Sequence, residues 1–211
     1  MNAPIVQEVL KKVNVYMFEL LRKNVERTLG EAVSEKDMAD FSKFLTEKSV
    51  DKKVLLTEND TVCNEVYFLL EGAAFSFISD SKDHKHVLQF ALEGFWISDL
   101  YSFFSGRKSI YRIETLEPCS LLVLNKQDFE KACKTIPVFN SFFRILIQNA
   151  YIAQQYRIAK ANSEEAELRY EEFSKSYPHF IQRIPQYLIA SYLGIKPQSL
   201  SRIRKNNIKR V

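Results

Sequence analysis

The residues best suited to chemistry lie near the C-terminal end. Gln198, Ser201, Arg202 and Lys205 recur at spacings of three and four, so on a helix they share one face. Their types match the edges of base pairs. Arg donates to guanine O6 and N7, Gln pairs with adenine, and Ser contacts a base or a phosphate. Lys196, Ser199 and Arg204 complete the candidate DNA-contacting set, and Lys209 and Arg210 stand nearby for phosphates. Leu200 and Ile203 fall on the opposite side and would anchor the helix. Pro197 suits its first turn, where a missing N–H is no loss. Upstream, Leu188, Ile189, Tyr192 and Leu193 have helical spacing, and Gly194 follows where a helix can end with positive φ. Two short helices around a glycine turn describe a helix-turn-helix whose second helix enters a groove. A surface hairpin with a solvated basic face has the same pattern.

Charge favours the first reading. After Glu172 there are eight basic side chains (Lys175, Arg183, Lys196, Arg202, Arg204, Lys205, Lys209, Arg210) and no acidic one. The whole chain of 211 residues is only +4, so residues 1–172 are net acidic. A basic module on an acidic body implies a local polyanion site.

The elements that hold this module lie toward the N-terminus. Val6, Val9, Leu10, Val13, Met17, Leu20, Leu21 and Val25 repeat at helical spacing, Gly30 stops the helix, and Ser34 with Asp37 caps a second one carrying Met38, Phe41, Phe44 and Leu45. Glu8, Glu19 and Glu26 of the first of these helices weigh against a membrane surface. From residue 54 the pattern becomes short aromatic and aliphatic strands near 54–57, 65–70, 73–78, 86–91, 111–116 and 119–124, with turn residues between them. That is an antiparallel β sandwich or barrel. Asn125 opens a helix, and Pro137 starts a long one. There Val138, Phe142, Ile145, Leu146, Asn149, Ile152, Ala153, Tyr156 and Ala159 form one apolar row, with Phe139, Phe143 and Ile147 on another side. Two apolar faces suit packing on the β domain and on a twin helix. Ser163 is a candidate cap for the helix that follows.

Several functions lack their residues. His84 and His86 suggest a cupin-type metal site, but Glu93 has the wrong spacing and the next imidazole, His179, lies outside the barrel. Cys63, Cys119 and Cys133 are too dispersed for a cluster and fit reduced thiols. No nucleophile elbow or phosphate loop of the hydrolase kind occurs, so an enzyme is not expected. With no apolar run of membrane length and no basic-then-apolar leader at the N-terminus, a cytoplasmic, non-membrane protein is expected.

The stretch Ile189-Ala-Ser-Tyr-Leu-Gly-Ile-Lys-Pro-Gln-Ser-Leu-Ser-Arg-Ile-Arg-Lys205 resembles the recognition segment of Crp/Fnr-superfamily transcription regulators, relatives of the cyclic-AMP receptor protein. Tyr67 to Gly72 and Leu121 to Phe129 resemble the strand–turn and closing helix of that superfamily's cyclic-nucleotide-binding β-roll. The resemblance spans about residues 40–205. It implies an α+β chain in three parts: helices and a β-roll sensor over 1–136, a dimerisation helix over 137–161, and a helix-turn-helix domain over 162–211. It implies a homodimer bound to double-stranded DNA at a pseudo-palindromic operator. A small effector and RNA polymerase are candidate partners. A β-roll ligand-binding protein without specific DNA binding is the alternative, and a cupin-type metalloenzyme a more distant one.

By the same resemblance the effector pocket would use Trp96, Asp99, Leu100, Arg107, Ser109 and Arg112. The superfamily's pocket holds a cyclic phosphate with a Gly-Glu-Leu step and an Arg-Ser or Arg-Thr pair. Here the step reads Ser98-Asp99-Leu100, and Ser109-Ile110 stands where the Arg pair would be. The phosphate loses a charge-assisted contact, so no cofactor is expected and a cyclic nucleotide is disfavoured.

Overall fold

The computed structural model describes residues 18–209, with side chains as far as Asn207. Helix α1 covers residues 18–29, and Val6, Val9, Leu10, Val13 and Met17 lie outside the described residues. α2 (Glu35–Ser42) begins at Ser34, whose hydroxyl accepts from the Asp37 N–H at 3.0 Å. Eight strands follow: β1 (Thr46–Val50), β2 (Leu55–Thr57), β3 (Glu65–Glu71), β4 (Ala74–Ser79), β5 (Lys85–Ala91), β6 (Trp96–Ile97), β7 (Arg112–Thr115) and β8 (Cys119–Asn125), with α3 (Leu100–Ser105) between β6 and β7. The C-terminal half is helical: α4 (Lys126–Thr135), α5 (Pro137–Ser163), α6 (Ala166–Ser176), α7 (Pro178–Arg183), α8 (Gln186–Leu193) and α9 (Pro197–Lys209).

The strands form two four-stranded antiparallel sheets, in the orders β1-β8-β3-β6 and β2-β7-β4-β5. The two-residue period of a strand sorts its side chains into separate cores. Tyr67 and Leu69 of β3 meet Ile113, Leu121 and Val123 between the sheets. Val66, Phe68 and Leu70 point the other way, onto α1, α2, α4 and α5, where Leu21, Val25, Met38, Phe41, Phe139 and Phe142 are buried. Phe41 stacks on Phe139 with ring centroids 3.7 Å apart. Gly72 turns β3 into β4 at φ +94°, and a Cβ there would stand 2.3 Å from the Pro118 carbonyl oxygen, so only glycine fits.

A third core covers the outer face of the second sheet. Phe75, Phe77, Val87 and Phe90 share a core with Leu188, Ile189 and Leu193 of α8, which lies on β5, and with Leu200 and Ile203 of α9, which packs on α6 and α8. Each such side chain contributes roughly 1.5–3 kcal/mol by leaving water. The C-terminal helices are therefore held on the β domain mainly by apolar contact.

Four features differ from the sequence reading. β6 is additional: its two residues pair with β3 inside a stretch read as part of the effector pocket. β1 is additional: its Thr-Glu-Lys-Ser-Val run is polar because it is an exposed edge strand. α7 is additional, because Tyr177-Pro178 ends one helix and Pro178 opens the next. Ser163 does not cap α6. It closes α5 with its hydroxyl donating to the Ala159 carbonyl at 2.9 Å, and Glu165 takes the cap position.

Candidate nucleic-acid interface and effector pocket

The turn between α8 and α9 is built by backbone bonds. The Gly194 N–H donates to the Ser191 carbonyl at 3.1 Å and the Ile195 N–H to the Ala190 carbonyl at 2.8 Å, with Gly194 at φ +64°. This is a Schellman end, and Ile195 is buried beside it. α9 then starts at Pro197. Leu200 and Ile203 are buried, while Lys196, Gln198, Ser201, Arg202 and Lys205 are exposed and Ser199 and Arg204 half-buried. The polar candidates thus stand on one side of a helix that its two apolar residues hold down. The Lys209 side chain and Arg210 lie outside the described residues.

Arg183 does not join this basic set. Its Nη1 donates to Glu93 at 2.6 Å, and its Nε and Nη2 fork onto Glu117. Burial pushes the Glu93 carboxyl up. The Arg183 hydrogen bond, with the Gly72 N–H at 2.9 Å, outweighs this and leaves it below the usual carboxylate range. Arg183 is a clasp between the β domain and α7. Ser191 makes a second clasp: its hydroxyl accepts from the Val87 N–H at 3.0 Å and donates to the Lys85 carbonyl at 2.7 Å, covering the free edge of β5. Sequence reasoning missed both, since the paired residues are 66 to 106 positions apart.

The six candidate pocket residues divide. Trp96 and Leu100 line a cavity of about 720 Å³. Asp99 is buried and caps α3 instead, accepting from the Ser102 N–H at 3.1 Å and from the Ser109 hydroxyl. Ser109 is buried too, with its N–H on Thr61 and its carbonyl accepting from Asp60. Arg107 is exposed, and Arg112 bonds Asn59 at 2.9 Å and Ser79 at 3.3 Å. The carboxylate and hydroxyl that would meet a ribose and a phosphate are bonded to each other. The Asp99-x-x-Ser102 spacing was the available signal for a helix cap.

His84 and His86 lie on the exposed β4–β5 hairpin, 3.1 and 3.3 Å from Asp80. Backbone N–H groups, that of His84 foremost, hold the Asp80 carboxyl well below its ordinary range. Among the described residues no group of three or more His, Cys, Asp or Glu is placed to hold a metal ion. Burial pushes the Cys119 thiol up to about 11, against the reactivity of a thiolate.

The first part of α5 is buried through Phe139, Phe142 and Phe143, but its second part leaves Tyr151 64%, Ile152 62%, Tyr156 51% and Ile158 50% exposed. Among the described residues, no helix is long and apolar enough to cross a membrane.

Residues 47–136 match the family of the cyclic nucleotide-binding domain. No curated protein matches the sequence. Among solved structures, FixK2 from Bradyrhizobium japonicum aligns at a TM-score of 0.65 and 17% identity, covering 79% of this chain and 85% of its own. The catabolite activator protein of Thermus thermophilus aligns at 0.56 and 12% identity over 87% of each chain. A Crp/Fnr-family regulator from Eubacterium rectale aligns at 0.61 and 14% identity, over 84% of this chain and 85% of its own. At such identities the likeness is one of fold. Residues 47–136 are thus similar to the cyclic nucleotide-binding domain, and the chain shares its fold with the solved Crp/Fnr-type structures.

Proposed function

We propose that the chain is a DNA-binding transcription regulator of the Crp/Fnr type, working in the cytoplasm and not as an enzyme. The observation that carries this reading is α9: Leu200 and Ile203 are buried, while Gln198, Ser201 and Arg202 stand exposed together above them. Residues 1–136 would act as the sensor, 137–161 as the dimerisation helix and 162–211 as the DNA-binding domain. The exposed apolar residues of α5 support a homodimer, since four large apolar groups on one helix invite a partner surface. Two-fold symmetry would set two copies of α9 roughly 34 Å apart on a pseudo-palindromic operator. The Asp99–Ser109 bond supports an effector other than a cyclic nucleotide, and RNA polymerase would be the partner at the promoter.

The apolar docking of α8 on β5 favours a second reading, a ligand-binding β-roll whose C-terminal helices only cover a sheet. Selection of bound duplexes from a random pool by the intact protein separates the two. Enrichment of half-sites one turn apart is the expected outcome. A pool that stays random would leave the second reading.

A further inference from the structure

The cavity beside Trp96 has walls from both ends of the chain. Phe90 and Phe95 come from the β-roll, and Phe173, Tyr177, Phe180 and Tyr192 from α6 to α8. Its volume of about 720 Å³ falls within the roughly 300–1,000 Å³ of small-molecule sites. Its charge has one sign: Arg27 and Arg157 line it and no carboxylate does. Arg27 has no hydrogen-bond or ion-pair partner among the described residues. Arg157 donates from Nη1 to the Tyr192 carbonyl at 3.0 Å and lies 4.6 Å from the centre of the Tyr192 ring. A guanidinium has five N–H donors, so this contact leaves others for a ligand. Two of the neutral polar lining groups, Asn24 and Gln89, are already engaged. Asn24 bonds the Gly94 carbonyl and the Trp96 indole N–H, and Gln89 bonds the Trp96 carbonyl.

We propose that this cavity binds an amphipathic organic acid, with an apolar or aromatic body and one anionic head. The body packs among the aromatic rings and the head pairs with Arg157. Cationic ligands are refused, because nothing in the lining carries a negative charge. An occupant touches the β-roll and α6 to α8 at once, so it strengthens their docking. The binding itself stands without the DNA-binding reading; only its regulatory meaning rests on that reading.

The test is fluorescence titration of the full chain with 1-anilinonaphthalene-8-sulfonate, followed by displacement with decanoate, decan-1-ol and decylamine. One saturable site per chain is expected, with decanoate displacing the dye at about ten-fold lower concentration than decan-1-ol, as one charge-assisted hydrogen bond implies. Decylamine should be the weakest competitor. Arg157→Gln should remove the advantage of decanoate and leave decan-1-ol unchanged, while Arg157→Lys keeps part of it. Ala153→Trp fills the cavity from an exposed position on α5 and should abolish dye binding at unchanged helicity, with sedimentation checking the oligomeric state because Ala153 belongs to the apolar row of α5. No saturable binding, equal displacement by decylamine, or full dye binding by Ala153→Trp overturns the proposal. A protein that binds decanoate but enriches no DNA sequence would fail the regulator reading and keep this one.

Discussion

Ser191→Ala isolates the clasp between α8 and β5. The hydroxyl makes two hydrogen bonds to the strand edge, at 3.0 Å from the Val87 N–H and 2.7 Å to the Lys85 carbonyl. Each is worth about 0.5–1.5 kcal/mol net, so their loss costs about 2 kcal/mol. Alanine is the better helix former by up to about 0.5 kcal/mol, which offsets part of it. A net loss of about 1.5 kcal/mol is expected, small beside the buried apolar face at roughly 1.5–3 kcal/mol per side chain. The C-terminal helices should therefore stay docked while the strand edge opens. Native-state hydrogen exchange reads this directly. The Val87 amide should exchange about ten-fold faster, and β5 amides bonded to β4 should hardly change. Unaltered exchange at Val87 would refute the clasp. Acceleration throughout β5 would show that the hydroxyl, not the apolar face, carries the docking.

Ile152→Glu places a charge on the exposed apolar part of α5, and sedimentation equilibrium should show a dimer for the parent chain and a monomer for the variant, with unchanged helicity. The Glu93–Arg183 clasp sets a pH dependence. The folded carboxyl titrates below its unfolded value near about 4.3, so its contribution is complete above that pH and lost as pH falls through the lowered folded value. Urea unfolding should be insensitive to this pair from pH 6 to 8 and weaken below about pH 4, and Arg183→Gln should remove that acid-limb dependence. Calorimetric titration with cyclic AMP should give no saturable heat in the micromolar range. Micromolar binding that vanishes in Arg107→Ala or Arg112→Ala would show that a loop shift brings a guanidinium to the phosphate.

The strands rich in aromatic and β-branched residues were legible because each buries side chains on alternating faces. β1 was not, since an edge strand with solvent on its sides needs no apolar pattern. The turn at Gly194 and the inward Leu200 and Ile203 were legible because helix ends and helix faces are local. The tertiary pairings were not. Arg183 reads as part of a basic module until the fold brings Glu93 and Glu117 to it. Asp99 reads as a ligand acceptor by its place in a motif, yet one missing methylene goes with a cap on α3 and a bond from Ser109. Phe173, Tyr177, Phe180 and Tyr192 reach the cavity from a part of the sequence that reads as DNA-binding alone.

The central claim is that α9 reads a base sequence, and Arg202→Ala tests it most directly. Arg202 is exposed on the face opposite Leu200 and Ile203, so its removal leaves the fold intact. Binding to the selected operator should weaken by about 1–3 kcal/mol, roughly five- to 150-fold, with relaxed preference at one base position. Binding to unrelated duplex at the same salt concentration should fall far less, since one phosphate contact at most is lost. Equal operator affinity for Arg202→Ala and the parent chain, by fluorescence anisotropy at fixed salt, would contradict the account.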